Sequence, residues 1–303
     1  MRILSIDGGG FRGLLPALVL AAFEARTGRS VAKCFDLIAG TSTGGIIALA
    51  LAAGIPAQKI VEFYMEKGPG IFSRSLAKRI TSMGGLADEL YDAGALEIAL
   101  FELFGERKLS SAEVKALVVA YDIQGRGAVL LRTWNAEDCL MAAAARATSA
   151  APTYFEPYAV KTATGLVFPC IDGGVVANNP SLYAVVEALR LRGWRRIDLV
   201  SLGTGRNEKP ILIEDAKDYG APQWLPHILD IMFSGGAEVV HEQCRAMLLD
   251  RPNADYVRLQ ADLPYPVAMD ATDADTVAVL KMCAGRLAES DAATRAFKMV
   301  GAA

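Results

Sequence analysis

The sequence predicts an α/β fold with a central, mostly parallel sheet, and three observations carry that prediction. Apolar, strand-length runs at residues 3–6 and 35–39 each lead through a glycine-rich turn into a helix-length apolar segment, the unit from which parallel sheets are built. Two further runs, 167–171 and 197–202, stop at Asp172-Gly173-Gly174 and Gly203-Thr204-Gly205. The chain can also bury an extensive core, with 303 residues of which 52% are apolar and 21% charged.

Each element follows from local composition. Residues 3–6 read as the first strand, the glycines between Gly8 and Gly13 end it, and 14–26 reads as a helix stopped before Gly28. The pattern repeats when 35–39 turns through Gly40-Thr41-Ser42-Thr43-Gly44-Gly45 into a helix over 46–53, ended by Gly54 and Pro56. Helices are expected over 57–67 and 86–104, and a hairpin over 115–121 and 129–134 across Gln124-Gly125-Arg126-Gly127. Another helix, 137–147, precedes the loop 150–155, and Pro180 opens a helix before the strand 197–202. Past Gly205 the pattern turns helical, over 224–249 and 273–300, around a short strand at 256–259. No repeat or low-complexity linker interrupts the chain. The expected organisation is a core over 1–205 with a helical C-terminal extension, 206–303, packed on the same domain.

Charge and composition exclude several functions. Thirty-one Lys and Arg against 34 Asp and Glu leave a net charge of −3, so no cationic field draws in nucleic acid. Apolar stretches such as 46–53 fall short of the roughly 18 residues a membrane span needs. The five cysteines are scattered without a C-x-x-C pair, which argues against a disulfide framework and against zinc. With no EF-hand-like acidic loop either, neither metal nor cofactor is expected. The chain enters a strand pattern directly rather than a signal peptide, so it reads as cytoplasmic.

Three segments carry chemistry. Gly40-Thr41-Ser42-Thr43-Gly44 has the G-x-S-x-G form of a nucleophile elbow, which lifts a serine hydroxyl out of the sheet edge; a phosphate-binding or merely tight βα turn would look the same. The two histidines, His227 and His241, fall in the helical extension and make poor partners for that serine. Asp172 follows a buried strand and precedes two glycines, at the edge where active sites form, although an Asx turn would also suit it. As a base at neutral pH it works only if burial raises its proton affinity. The third segment, Asp7-Gly8-Gly9-Gly10-Phe11-Arg12-Gly13, clusters backbone N–H groups into an anion nest. It also matches G-x-G-x-x-G, with Asp36 near the position of a ribose-binding acid, so by itself it fits a nucleotide equally well. An oxyanion hole, a serine nucleophile and an aspartate base on one sheet edge would use all three segments.

These residues resemble the patatin-like phospholipase family. The resemblance rests on Asp7 to Gly13, Gly40 to Gly45, Ser149-Ala150-Ala151-Pro152-Thr153-Tyr154-Phe155, Asp172 to Pro180, and Ser201-Leu202-Gly203-Thr204-Gly205, in order over about residues 3–205. It implies a three-layer α/β/α fold and a Ser-Asp dyad that hydrolyses acyl esters of lipids. It further implies Ser42 as nucleophile, Asp172 as its base, and Gly8, Gly9 and Gly10 as the oxyanion hole with Arg12 supporting that loop. The competing expectations are a nucleotide-binding protein and a non-catalytic lipid-binding module. A phospholipid or other acyl lipid is the expected partner, with peripheral membrane contact. That contact is expected at 70–79, where Ile71, Phe72 and Leu76 would insert beside three cations; the aromatic loop 151–158 could also touch a bilayer, but ordinary core packing is the favoured reading for it.

Overall fold

The computed structural model describes residues 1–73, 89–206 and 210–301. Strand β1 (Arg2–Ile6) ends at Asp7, and the 3-10 turn Gly10–Gly13 leads into α1 (Leu14–Thr27). After α2 (Val31–Cys34) come β2 (Leu37–Thr41), α3 (Thr43–Ala52), α4 (Ala57–Ile71) and α5 (Ala93–Phe104). Helix α4 runs past the expected end at 67 and carries Pro69 within its last turn. The helix expected from 86 starts only at Ala93. The amides of Leu90 and Tyr91 donate instead to the carbonyls of Thr153 and Tyr154, and residues 86–88 lie outside the described residues.

β3 (Lys115–Asp122) and β4 (Gly127–Arg132) form the expected hairpin. Helix α6 (Met141–Thr148) is shorter than the expected 137–147 because Asp138 accepts from the amide and hydroxyl of Ser110, which ties the preceding residues to another loop. β5 (Tyr158–Lys161), too short to show a period in the sequence, pairs with β6 (Val167–Asp172). Then follow α7 (Gly174–Ala177), α8 (Ser181–Arg192), β7 (Ile197–Leu202), α9 (Ile213–Ala216), α10 (Ala221–Leu248) and β8 (Ala254–Leu259). The long helix expected over 273–300 is two, α11 (Ala274–Ala288) and α12 (Asp291–Met299), because the Ser290 hydroxyl accepts from the Ala293 amide and starts a new helix.

The eight strands form one sheet in the order β5-β6-β3-β2-β1-β7-β8, with β4 also on β3. The run from β3 through β2, β1 and β7 to β8 is parallel; β4, β5 and β6 pair antiparallel. Alternate residues of the parallel strands enter two separate cores, as the period of two dictates. Leu4, Ile38, Val118 and Val200 pack with α1, α3 and α4, whereas Ile3, Leu37, Leu117 and Leu199 pack with α8 and the end of α10. This is a three-layer α/β/α arrangement. The extension contributes β8 to the sheet and Leu280 and Phe297 to the first core. Among the described residues no helix is long and apolar enough to cross a membrane.

The two edges of β3 are used differently. β4 runs along one of them, so β2 and β6 share the other. β2 covers residues 115–119 and β6 covers 120–122. Thr41, the last residue of β2, lies opposite Val119, and Asp172, the last residue of β6, lies opposite Ala120. Two strands running in opposite directions therefore meet end to end.

Candidate active site

Ser42 stands where that junction leaves β2. Its backbone sits at φ 55°, ψ −127°, an unfavourable conformation for a residue with a Cβ and one that strained functional turns adopt. The turn closes tightly because Gly40 and Gly44 lack side chains: a Cβ on Gly40 would come 2.1 Å from the Gly44 carbonyl oxygen, and one on Gly44 would come 2.2 Å from that of Ile6. The Ser42 amide donates to the Thr148 hydroxyl at 2.8 Å, and the Thr41 hydroxyl donates to the Ala177 carbonyl at 2.7 Å. Both contacts hold the strain in place.

Across the junction the Ser42 hydroxyl donates to Oδ2 of Asp172 at 2.6 Å, while Oδ1 of Asp172 accepts from the Gly174 amide at 2.7 Å. Asp172 reaches Ser42 from an antiparallel strand that abuts β2, rather than from a neighbouring βα loop as the sequence suggests. Its neighbour must be glycine, since a Cβ on Gly173 would lie 2.1 Å from the Val119 carbonyl oxygen. Asp172 is 1% exposed. Burial pushes its carboxyl up to about 7, against the opposing pull of the Ser42 and Gly174 hydrogen bonds. A carboxyl titrating there meets the requirement for a base that the sequence left open.

The glycine loop faces the same space only in part. Gly9 and Gly10 line the cavity with Ser42 and Asp172, and among the described residues no acceptor takes the N–H of either. The Gly8 amide, expected in the oxyanion hole, instead donates to the Asn178 carbonyl at 3.0 Å. The Arg12 backbone amide donates to the Gly9 carbonyl within the loop, and the buried residue lines a separate cavity with Asp230. Asp36 accepts from the Arg2 amide at 2.7 Å just before β2, at the opposite end of the sheet from the glycine loop, so the two do not form a dinucleotide site. His227 stacks on Tyr219 and His241 bonds to the Tyr256 hydroxyl; neither lines the cavity around Ser42.

The walls of that cavity are mainly apolar: Ile46, Phe63, Phe72, Leu96, Phe155 and Phe233. Ile71 and Phe72, expected to face a membrane, turn inward. Ile71 is buried, and Phe72 packs edge-on against Tyr91 and close to Phe155. Leu76 and the cations of that segment lie outside the described residues. The aromatic residues Tyr154 and Phe155 of the loop 151–158 also line the cavity.

Sequence reasoning missed three contributors. Thr148 holds the Ser42 amide, and its only signal was membership of the segment leading to Ser149. Asn178 consumes the Gly8 amide. Met269, far along the chain, accepts from the Phe11 amide at 2.6 Å and lines the cavity, while the adjacent Asp270 accepts from the Tyr91 hydroxyl at 2.5 Å.

Residues 4–185 match the family profile described as patatin-like phospholipase. Patatin-like protein 2 of Arabidopsis thaliana is 31% identical over 310 residues, spanning 86% of this chain and 76% of the relative. Patatin-like protein 1 of Oryza sativa subsp. indica is 29% identical over 327 residues, spanning 92% and 79%. A further relative from Solanum tuberosum, 29% identical over 90% of this chain and 82% of its own length, is named a probable inactive patatin-3-Kuras 1.

Proposed function

The chain belongs to the patatin-like phospholipase family, whose general activity is lipid acyl hydrolysis, and from that premise we propose that it cleaves fatty-acyl esters of phospholipids or related lipids through Ser42 and Asp172. Since a relative is named inactive, membership alone does not carry the reading. The observation that carries it is the 2.6 Å contact between the Ser42 hydroxyl and a buried carboxylate pushed up to about 7, beside a cavity whose walls are mainly apolar.

In this mechanism Ser42 Oγ attacks the ester carbonyl carbon as its proton passes to Asp172. The amides of Gly9 and Gly10 hold the negative charge on the tetrahedral oxygen. Collapse expels the alkoxy group, which takes the proton from Asp172 and leaves an acyl-enzyme. Water then attacks the acyl carbon, Asp172 receives its proton, and the fatty acid leaves as Ser42 is reprotonated. No step calls for a cofactor. Asp36, remote from the glycine loop, weighs against the nucleotide reading.

A fluorophosphonate probe tests the proposal directly. Covalent labelling at Ser42, lost in Ser42→Ala, is the expected result, together with release of fatty acid from phospholipid vesicles by the wild type alone. A folded protein that binds lipid but takes up no probe would be a binding module instead.

A further inference from the structure

Ser149 takes no part in the proton transfers between Ser42 and Asp172, yet it sits inside the site. It lines the cavity with both residues, it is 7% exposed, and its hydroxyl has no hydrogen-bond partner among the described residues. Other polar side chains of that wall are engaged with each other, Ser42 with Asp172 and Thr43 with Tyr64. The neighbours of Ser149 hold the reacting pair: the Thr148 hydroxyl accepts from the Ser42 amide at 2.8 Å, and the Ala150 carbonyl accepts from the Asp172 amide at 2.9 Å. Ser149 thus projects from the two-ended clamp that sets nucleophile against base.

A buried hydroxyl without a partner costs stability, so its presence calls for a partner that arrives later. On the hydrolase reading, which this inference rests on, an ester brings three features into the cavity. The acyl tail needs only the apolar walls, and the carbonyl oxygen has the amides of Gly9 and Gly10. The leaving-group oxygen remains. We propose that Ser149 is a substrate-contacting residue whose hydroxyl donates a hydrogen bond to the leaving-group oxygen, and then to the water that replaces it. As the bond from Ser42 Oγ to the acyl carbon forms and the bond to the alkoxy oxygen breaks, the electron pair of the breaking bond stays on that oxygen. The proton it acquires is the one Asp172 took from Ser42. Ser149 keeps its own proton throughout and stabilises the charge that develops before transfer is complete.

The test compares wild type with Ser149→Ala on two esters of the same acyl chain, one of glycerol and one of nitrophenol. A glycerol alkoxide is a poor leaving group and needs the hydrogen bond, whereas nitrophenoxide leaves with little help. Loss of the donor is expected to lower kcat/KM on the glycerol ester by about a hundredfold. On the nitrophenyl ester the loss should stay under about fivefold, and the melting temperature should stay level or rise. Ser149→Cys, with a weaker donor, should fall between the two. Unchanged turnover, equal losses on both esters, or a lowered melting temperature would each overturn the assignment. Probe labelling of the wild type at Ser42 separates the role of Ser149 from the hydrolase reading beneath it. A labelled wild type beside a fully active Ser149→Ala sinks only the role of Ser149, while an unlabelled wild type sinks the hydrolase reading and that role with it.

Discussion

Two segments of this protein share the sequence Asp-Gly-Gly at the end of a strand, the first strand buried and the second half-buried, and the fold treats them in opposite ways. At Asp7-Gly8-Gly9 the carboxylate is locked to Arg258, whose guanidinium donates to Oδ1 at 2.9 Å and Oδ2 at 2.5 Å. Burial pushes the Asp7 carboxyl up, and the guanidinium opposes that push. At Asp172-Gly173-Gly174 an equally buried carboxylate receives, among the described residues, a hydroxyl and one amide. The first aspartate is compensated and structural. The second has no such cation beside it, and that deficit is what suits it to the base's part in the proposed mechanism. The glycines differ as well: Gly9 and Gly10 line the cavity and their amides have no acceptor among the described residues, whereas Gly173 supplies room against Val119.

The comparison breaks most visibly in turnover. Ser42→Ala and Asp172→Ala should each lower kcat by about a thousandfold or more, and the double variant should be no worse than either, because the pair acts as a unit. Additive losses in single-turnover measurements would mean that the two residues act separately. Gly9→Ala should cost about a hundredfold to a thousandfold, since a Cβ there would come 2.2 Å from the Thr204 hydroxyl and displace the loop that carries those amides. Circular dichroism should show Gly9→Ala folded. Gly173→Ala, whose Cβ meets backbone, should fold poorly, and two variants of equal solubility would contradict the contrast between the glycine pairs.

Stability should change in opposite directions. Asp7→Asn strands Arg258 in the interior and should cost about 3–5 kcal/mol. Asp172→Asn removes a carboxyl whose folded value, about 7, stands above its unfolded one. Such a group favours folding while protonated and loses that contribution as pH rises through about 7. Denaturation at pH 8 should therefore find Asp172→Asn more stable than wild type by up to about 4 kcal/mol, with the gap closing below about pH 4. A destabilised Asp172→Asn at pH 8 would show that the two carboxylates are alike after all. The same titration should appear in catalysis: kcat/KM should fall about tenfold per unit below about pH 7 and level off above it, as the base form of Asp172 is lost and gained.

How much of this was legible depended on how far each contact lies along the chain. The elbow at Ser42 and the strand ending at Asp172 could be read because their glycines and apolar runs are local. Their meeting could not, since it needs β6 to turn antiparallel and share an edge of β3 with β2, a matter of pairing between strands 130 residues apart. The glycine loop was readable as an anion nest, but its division was not. Asn178 removes the Gly8 amide and Met269 anchors Phe11, both from distant segments. Ile71 and Phe72 have the composition of an interfacial segment, and only the neighbouring Tyr91 and Phe155 show that they turn inward. The different roles of the two Asp-Gly-Gly segments likewise depend on Arg258, 251 residues from Asp7.

The smallest expected effect is the one that tests whether a carboxylate alone takes the proton from Ser42. His227 stacks on Tyr219 at 5.3 Å between ring centroids, and His241 holds the Tyr256 hydroxyl at 2.8 Å. Burial pushes the His241 imidazole down from its ordinary value. His241→Ala strands the Tyr256 hydroxyl, and a loss of about 1 kcal/mol in stability is expected from the broken hydrogen bond. Turnover should change by less than about threefold in either His227→Ala or His241→Ala, since neither ring lines the cavity with Ser42. The pH profile of each variant should keep its midpoint near 7, because that midpoint belongs to Asp172. If either histidine variant loses as much activity as Asp172→Ala, or moves the midpoint by a full unit, an imidazole takes part in the proton transfer and the Asp172 carboxylate is not the base.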